Sequence, residues 1–137
     1  MKNKILLCII GLIGLILFYY KTDTYFEPYK YANKASKLNI YYNNKVIKYF
    51  RSVGDFDGGI EMEIEFNINN SELNNIEGQV KKMNYKHPSL ALQSENLKYA
   101  GDSKVVYFFS KHSQNGSVFI IFNKTKGILL IKQNTIN

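Results

Sequence analysis

The side chains with the most chemistry to offer are few and far apart. The two histidines, His87 and His112, are distant in the chain, and Cys8 is the only cysteine. Metal sites announce themselves by short spacings such as HxxxH, HExxH or CxxC, which put two ligands on one helical face or in one tight turn. None is present, and no metal or cofactor is expected. There is no GxSxG elbow and no phosphate loop. Catalysis needs an acid or nucleophile with a base held beside it. No pattern here supplies one, and the chain reads as a non-enzyme.

Acidic residues come closest to a motif. Asp55-Phe56-Asp57-Gly58 has the opening of a calcium loop, but the third oxygen ligand and the closing glutamate are missing. Two carboxylates beside glycines read better as a turn. Just after it, Glu61, Glu63 and Glu65 alternate with apolar residues. Asp55 to Glu65 holds five acids and no base, whereas residues 103–137 hold five lysines and no acid. Such segregation is satisfied by cross-strand ion pairs or by a polarised surface. On the second reading Glu61, Glu63 and Glu65 form a partner contact for a basic protein.

Charge overall does not indicate nucleic acid. The formal net charge is +7, but Lys2, Lys4 and Lys21 flank an apolar run, and Arg51 is the only arginine. Arginine is the side chain that recognises phosphates and base edges bidentately, and no basic helix or finger spacing accompanies it.

The elements that would position these residues begin with that run. Ile5 to Tyr20 is sixteen residues without a charge. As a helix it spans ~24 Å, somewhat less than a bilayer core of ~30 Å. Lys4 and Lys21 can snorkel outward, and Tyr19 and Tyr20 suit the interface. Two lysines precede the run, while Asp23 and Glu27 follow it. The amino end should therefore stay in the cytoplasm and the rest be exported. A cleaved signal peptide is the rival, but Tyr-Tyr-Lys-Thr-Asp offers no small-x-small site. Cys8 lacks a small preceding residue for lipoprotein processing and should pack as a small hydrophobe. The expected organisation is a single-pass transmembrane anchor over 1–21, a juxtamembrane stalk over 22–39, and an extracytoplasmic domain over 40–137.

Within the stalk, Pro28 suits the first position of a short helix. Ile40–Tyr42 and Val46–Val53 are β-branched and aromatic, with Asn43-Asn44 as a turn between them. Ile60 to Ile68 alternates strictly. Met62, Ile64, Phe66 and Ile68 should face a core, and Glu61, Glu63, Glu65 and Asn67 should face solvent. Ser71 to Met83 reads as an amphipathic helix with Ser71 as N-cap and Leu73, Ile76, Val80 and Met83 as its stripe. His87-Pro88 opens a loop to about Lys98. Lys104–Ser110, Ser117–Asn123 and Ile128–Lys132 are strands of a meander.

These elements predict an α+β domain: an antiparallel sheet of about five strands, with one amphipathic helix packed on a face. The last three strands are apolar on both faces, so the second face needs a cover: the stalk, the long loop, a second sheet layer, a second copy or a protein partner.

This layout resembles small, mostly uncharacterised bacterial envelope proteins. They carry an export segment, a Gly/Asp-rich turn before a strand (here Gly54-Asp55-Phe56-Asp57-Gly58-Gly59), one helix, and a final meander (here Phe119 to Lys132). The resemblance implies placement in the envelope and no particular activity. Immunity proteins against secreted toxins share this size and placement. The expected function is a membrane-anchored interaction module for a protein partner, either of immunity type or an envelope component. The alternative is a small envelope enzyme or ligand-binding protein.

Overall fold

Short β-branched runs broken by Gly and Asn pair most cheaply with their sequence neighbours, and the chain folds as two such antiparallel units zipped into one sheet. The computed structural model describes residues 2–54, 58–86 and 106–135, with side chains from Cys8 onward. Its elements are α1 (Lys2–Ser36), β1 (Lys45–Val53), β2 (Ile60–Asn67), α2 (Leu73–Lys82), β3 (Val106–Ser113), β4 (Gly116–Asn123) and β5 (Ile128–Thr135). The five strands lie in the order β1-β2-β5-β4-β3, all antiparallel. The hairpin β1-β2 and the meander β3-β4-β5 meet where Ile64 faces Ile131. Turn chemistry sets the meander's register. Gly116 has φ +134, and a Cβ there would lie 2.1 Å from the Asn134 carbonyl oxygen, so only glycine fits.

The predicted α+β class and five-stranded antiparallel sheet are therefore observed, with α2 on one face. Met62, Ile64, Phe66 and Ile68 are buried, as their alternation required. Ile76 and Val80 of α2 meet them in a single core that also takes Ile120, Phe122, Leu129 and Ile131.

Several expectations need correction. Pro28 lies inside α1 rather than opening a helix; stalk and apolar run form one continuous helix of 35 residues. Proline forfeits one backbone hydrogen bond there, and the next residues offset the loss. Tyr29 and Ala32 are buried in the core, and the Tyr29 hydroxyl donates to the Asn44 carbonyl at 2.6 Å. The C-terminal part of the helix thus packs on the same face as α2, and the stalk does not cover the second face. Ile40–Tyr42 is not a strand. The Ile40 amide is taken by Asn33 Oδ1 at 2.9 Å and the Asn39 amide by Gln79 Oε1 at 2.7 Å, so side chains of both helices replace a ladder. Ser71 does not cap α2. Its hydroxyl and amide both donate to Asn69 Oδ1, and the helix begins after Glu72 without a side-chain cap.

On the second face Val106, Ile121 and Leu130 form a smaller buried cluster flanked by Phe108, Phe119 and Ile128. The Asp55–Asp57 turn, His87 and the loop that follows lie outside the described residues. Among the described residues, no helix is long and apolar enough to cross a membrane.

Candidate functional site

The expected contact residues do not form a common acidic surface. Glu61 is exposed, but Glu65, opposite Leu130 and Lys48 in the sheet, is only 3% exposed. The predicted solvent face is corrected at that position: the apolar cluster of the last three strands extends under it. Glu63 lies between two lysines, 2.9 Å from Lys48 Nζ and 3.7 Å from Lys132 Nζ. The Lys48 hydrogen bond, then the Lys132 charge, holds its carboxyl below the usual carboxylate range against the opposing cost of burial. The charge segregation of the sequence is thus resolved in part by cross-strand pairing. Glu77 on α2 does the same on the other face. It meets Lys124 at 2.7 Å, Tyr107 Oη at 2.7 Å and Lys81 at 3.2 Å. The Lys124 and Tyr107 hydrogen bonds pull its carboxyl down to about 2.

His112 is exposed on β3 and shares a 3.1 Å hydrogen bond with Ser110 Oγ. No carboxylate is paired with it among the described residues. Those residues also contain no group of three metal-binding side chains.

A cleft of about 630 Å³ opens instead on the face that carries both helices. Its position follows from sheet register. Met62, Gln133, Val118 and Lys111 are successive partners across β2, β5, β4 and β3, so their side chains form one row on one face. The adjacent row of Ile64, Ile131, Ile120 and Phe109 belongs to the helix-covered core. The helical cover encloses Met62 but leaves Gln133, Val118 and Lys111 of its row partly open. The end of α1 forms one wall with Tyr31 and Ala35, and Met83 and Tyr85 form another. Arg51 lies 4.5 Å above the Tyr31 ring, and its Nε is buried without a hydrogen-bond partner among the described residues. The Tyr85 hydroxyl donates to the Ser36 carbonyl, locking the segment after α2 to the end of α1, and burial pushes its pKa up.

The cleft's charge is one-sided. Lys34, Lys37 and Lys111 line it, with no carboxylate among the lining residues. None of the three has an ion-pair partner among the described residues. The dipole of α1 favours Lys34 and Lys37 at its C-terminus, but that does not explain Lys111, which comes from β3. Lys37 also adopts φ +61, the left-handed C′ conformation that glycine usually supplies.

Sequence reasoning did not find this site, because its lining comes from both helical regions and four strands. The one local hint was Lys111 on the same alternation as Tyr107 and Phe109, a cation at the end of an apolar stripe. No family model, curated protein or solved structure matches the chain.

Proposed function

We propose that this protein is a non-catalytic binding module, anchored in a membrane by the first half of α1 and displaying its domain on the extracytoplasmic side, with the cleft as its receptor surface. One observation carries the anchoring. From Ile9 to Tyr20 the large apolar side chains of α1 are between 47% and 70% exposed, with no shielded stripe. A helix on a soluble surface hides one apolar stripe, whereas a helix that is apolar all round needs an apolar medium on every side. The described part of α1 is not long and apolar enough to cross alone. A span requires the uncharged run from Ile5, with Lys4 and Lys21 snorkelling to make up the difference from ~30 Å. The lysines before the run favour a cytoplasmic amino end.

Binding rather than turnover is supported by the cleft's polar groups. Ser36 Oγ donates to the Ala32 carbonyl and accepts from the Leu38 amide, so it is occupied within its own turn. The partner surface expected at Glu61, Glu63 and Glu65 has weaker support, since only Glu61 is both exposed and outside the Lys48–Glu63–Lys132 cluster.

The test is membrane extraction of the full-length chain. It should sediment with membranes, resist alkaline carbonate and leave only in detergent. In spheroplasts, external protease should reach the domain. Full-length protein in the soluble fraction would remove the anchor, and a domain protected from external protease would reverse the orientation.

A further inference from the structure

We infer that the cleft binds a single-chain anionic amphiphile of the fatty-acid class, its tail along the Met62–Val118 floor and its carboxylate among Lys34, Lys37 and Lys111. The inference deepens the binding-module reading and rests on it.

Three features of the cleft select this class. The volume, about 630 Å³, is that of a small-molecule site. The walls are apolar and adaptable: Met62 and Met83 are unbranched thioethers that can follow a flexible chain, and Phe109 gives a flat surface. The charge is three lysines, Lys34 on α1, Lys37 just past its end and Lys111 on β3, with no ion-pair partner among the described residues.

Hydrogen bonding argues against an extended peptide as occupant. A peptide brings backbone N–H and C=O groups that must be satisfied when buried. The hydroxyls of Ser36 and Tyr85 are already committed within the chain, so of the described lining side chains only Tyr31, Gln133 and the lysines are left as partners for such a ladder. An alkyl chain needs none, and its single charged end meets the lysines.

The source of the ligand follows from the helix. Lys34 lies fourteen residues beyond Tyr20 on the continuous α1, or ~21 Å along its axis. That separates the cleft from the apolar run, so it takes a molecule that has left the bilayer rather than one still inserted.

The experiment uses the full-length chain in vesicles of zwitterionic phospholipid. Three probes of equal chain length are compared: a diazirine-bearing palmitate, the corresponding fatty alcohol and the corresponding trimethylammonium. Crosslinked peptides are mapped by mass spectrometry. Palmitate should label peptides containing Met62, Met83 or Phe109 roughly tenfold more than the alcohol, as a few charge-assisted bonds would give, and the cation should label least. The combined variant Lys34→Gln, Lys37→Gln, Lys111→Gln should lose that preference, while Lys30→Gln, exposed on the same helix outside the cleft, should keep it. All four side chains are exposed, so the fold should survive. Equal labelling by acid and alcohol, or a preference unchanged in the triple variant, would overturn the anionic assignment. Label confined to the Ile9–Phe18 segment would overturn the cleft as a site. Flotation of the same samples reports anchoring separately: a chain that stays at the bottom of the gradient loses its anchor whatever the labelling shows.

Discussion

The two faces of the sheet handle charge in different ways. On the face away from the helices, Glu63 holds Lys48 and Lys132, and Glu65 is sunk beside an apolar cluster. On the helical face, Glu77 neutralises Lys124 and Lys81 at one end, while Lys34, Lys37 and Lys111 at the cleft have no carboxylate partner among the described residues. Paired surface charges cost little and hold neighbouring strands together. Like charges gathered around an apolar opening repel one another, and the dipole of α1 offsets this for Lys34 and Lys37 but not for Lys111. The contrast is the ground for proposing the cleft as a binding surface.

The largest effects should come from the apolar layers of the two faces. Phe66→Ala in the main core should cost about 3–5 kcal/mol, and Leu130→Ala in the second cluster about 2–5 kcal/mol, by urea unfolding. Both side chains are fully buried. A loss below about 1 kcal/mol for Leu130→Ala would break the symmetry and reduce the second cluster to surface packing.

Next comes the acidic strand. Glu65→Ala should destabilise by about 1–3 kcal/mol, because it empties a buried, partnered position. Glu61→Ala should stay within about 0.5 kcal/mol. Equal effects would restore the picture of one solvent-facing stripe.

Glu77→Gln should cost about 1 kcal/mol through the Lys124 and Lys81 pairs. Its carboxyl is lowered from 4.5 to about 2 on folding. A depressed folded value adds stability that is complete above about pH 4.5 and lost as pH falls toward 2. An acid titration of unfolding should therefore be shallower across that window in Glu77→Gln.

The smallest effect has the opposite sign. Lys37→Gly should stabilise the chain by about 0.5–1 kcal/mol, since glycine holds φ +61 without the Cβ clash. It should also weaken capture of the palmitate probe. A variant both more stable and a poorer binder would separate the demands of folding from those of the cleft.

Much of the fold was legible because it depends on local period. The alternation from Ile60 to Ile68 identified β2 and its buried side, and the Leu73, Ile76, Val80 spacing identified α2. The three C-terminal apolar runs read as a meander are β3, β4 and β5, each paired with the next. The failures came where a distant group outbid a local preference. Asn33 took the Ile40 amide and Gln79 the Asn39 amide just before it, in place of a strand over Ile40–Tyr42, and Asn69 took the hydroxyl that would have capped α2. Glu65 was misplaced because alternation tells which side a residue faces, not what covers that side.

By itself the sequence determined the order and kind of the elements from β1 to β5, the inward side of β2, and an uncharged N-terminal run with nothing in it to cover its apolar surface. These depend on periods of two and 3.6 and on the cost of leaving apolar groups in water, which neighbouring residues are enough to set. Only the tertiary structure decided that β5 lies beside β2, that the end of α1 packs on the same face as α2, and that Met62, Gln133, Val118 and Lys111 share a row beside Lys34 and Lys37. Those contacts join residues far apart in the chain, and their register is set by the packing of all the layers at once.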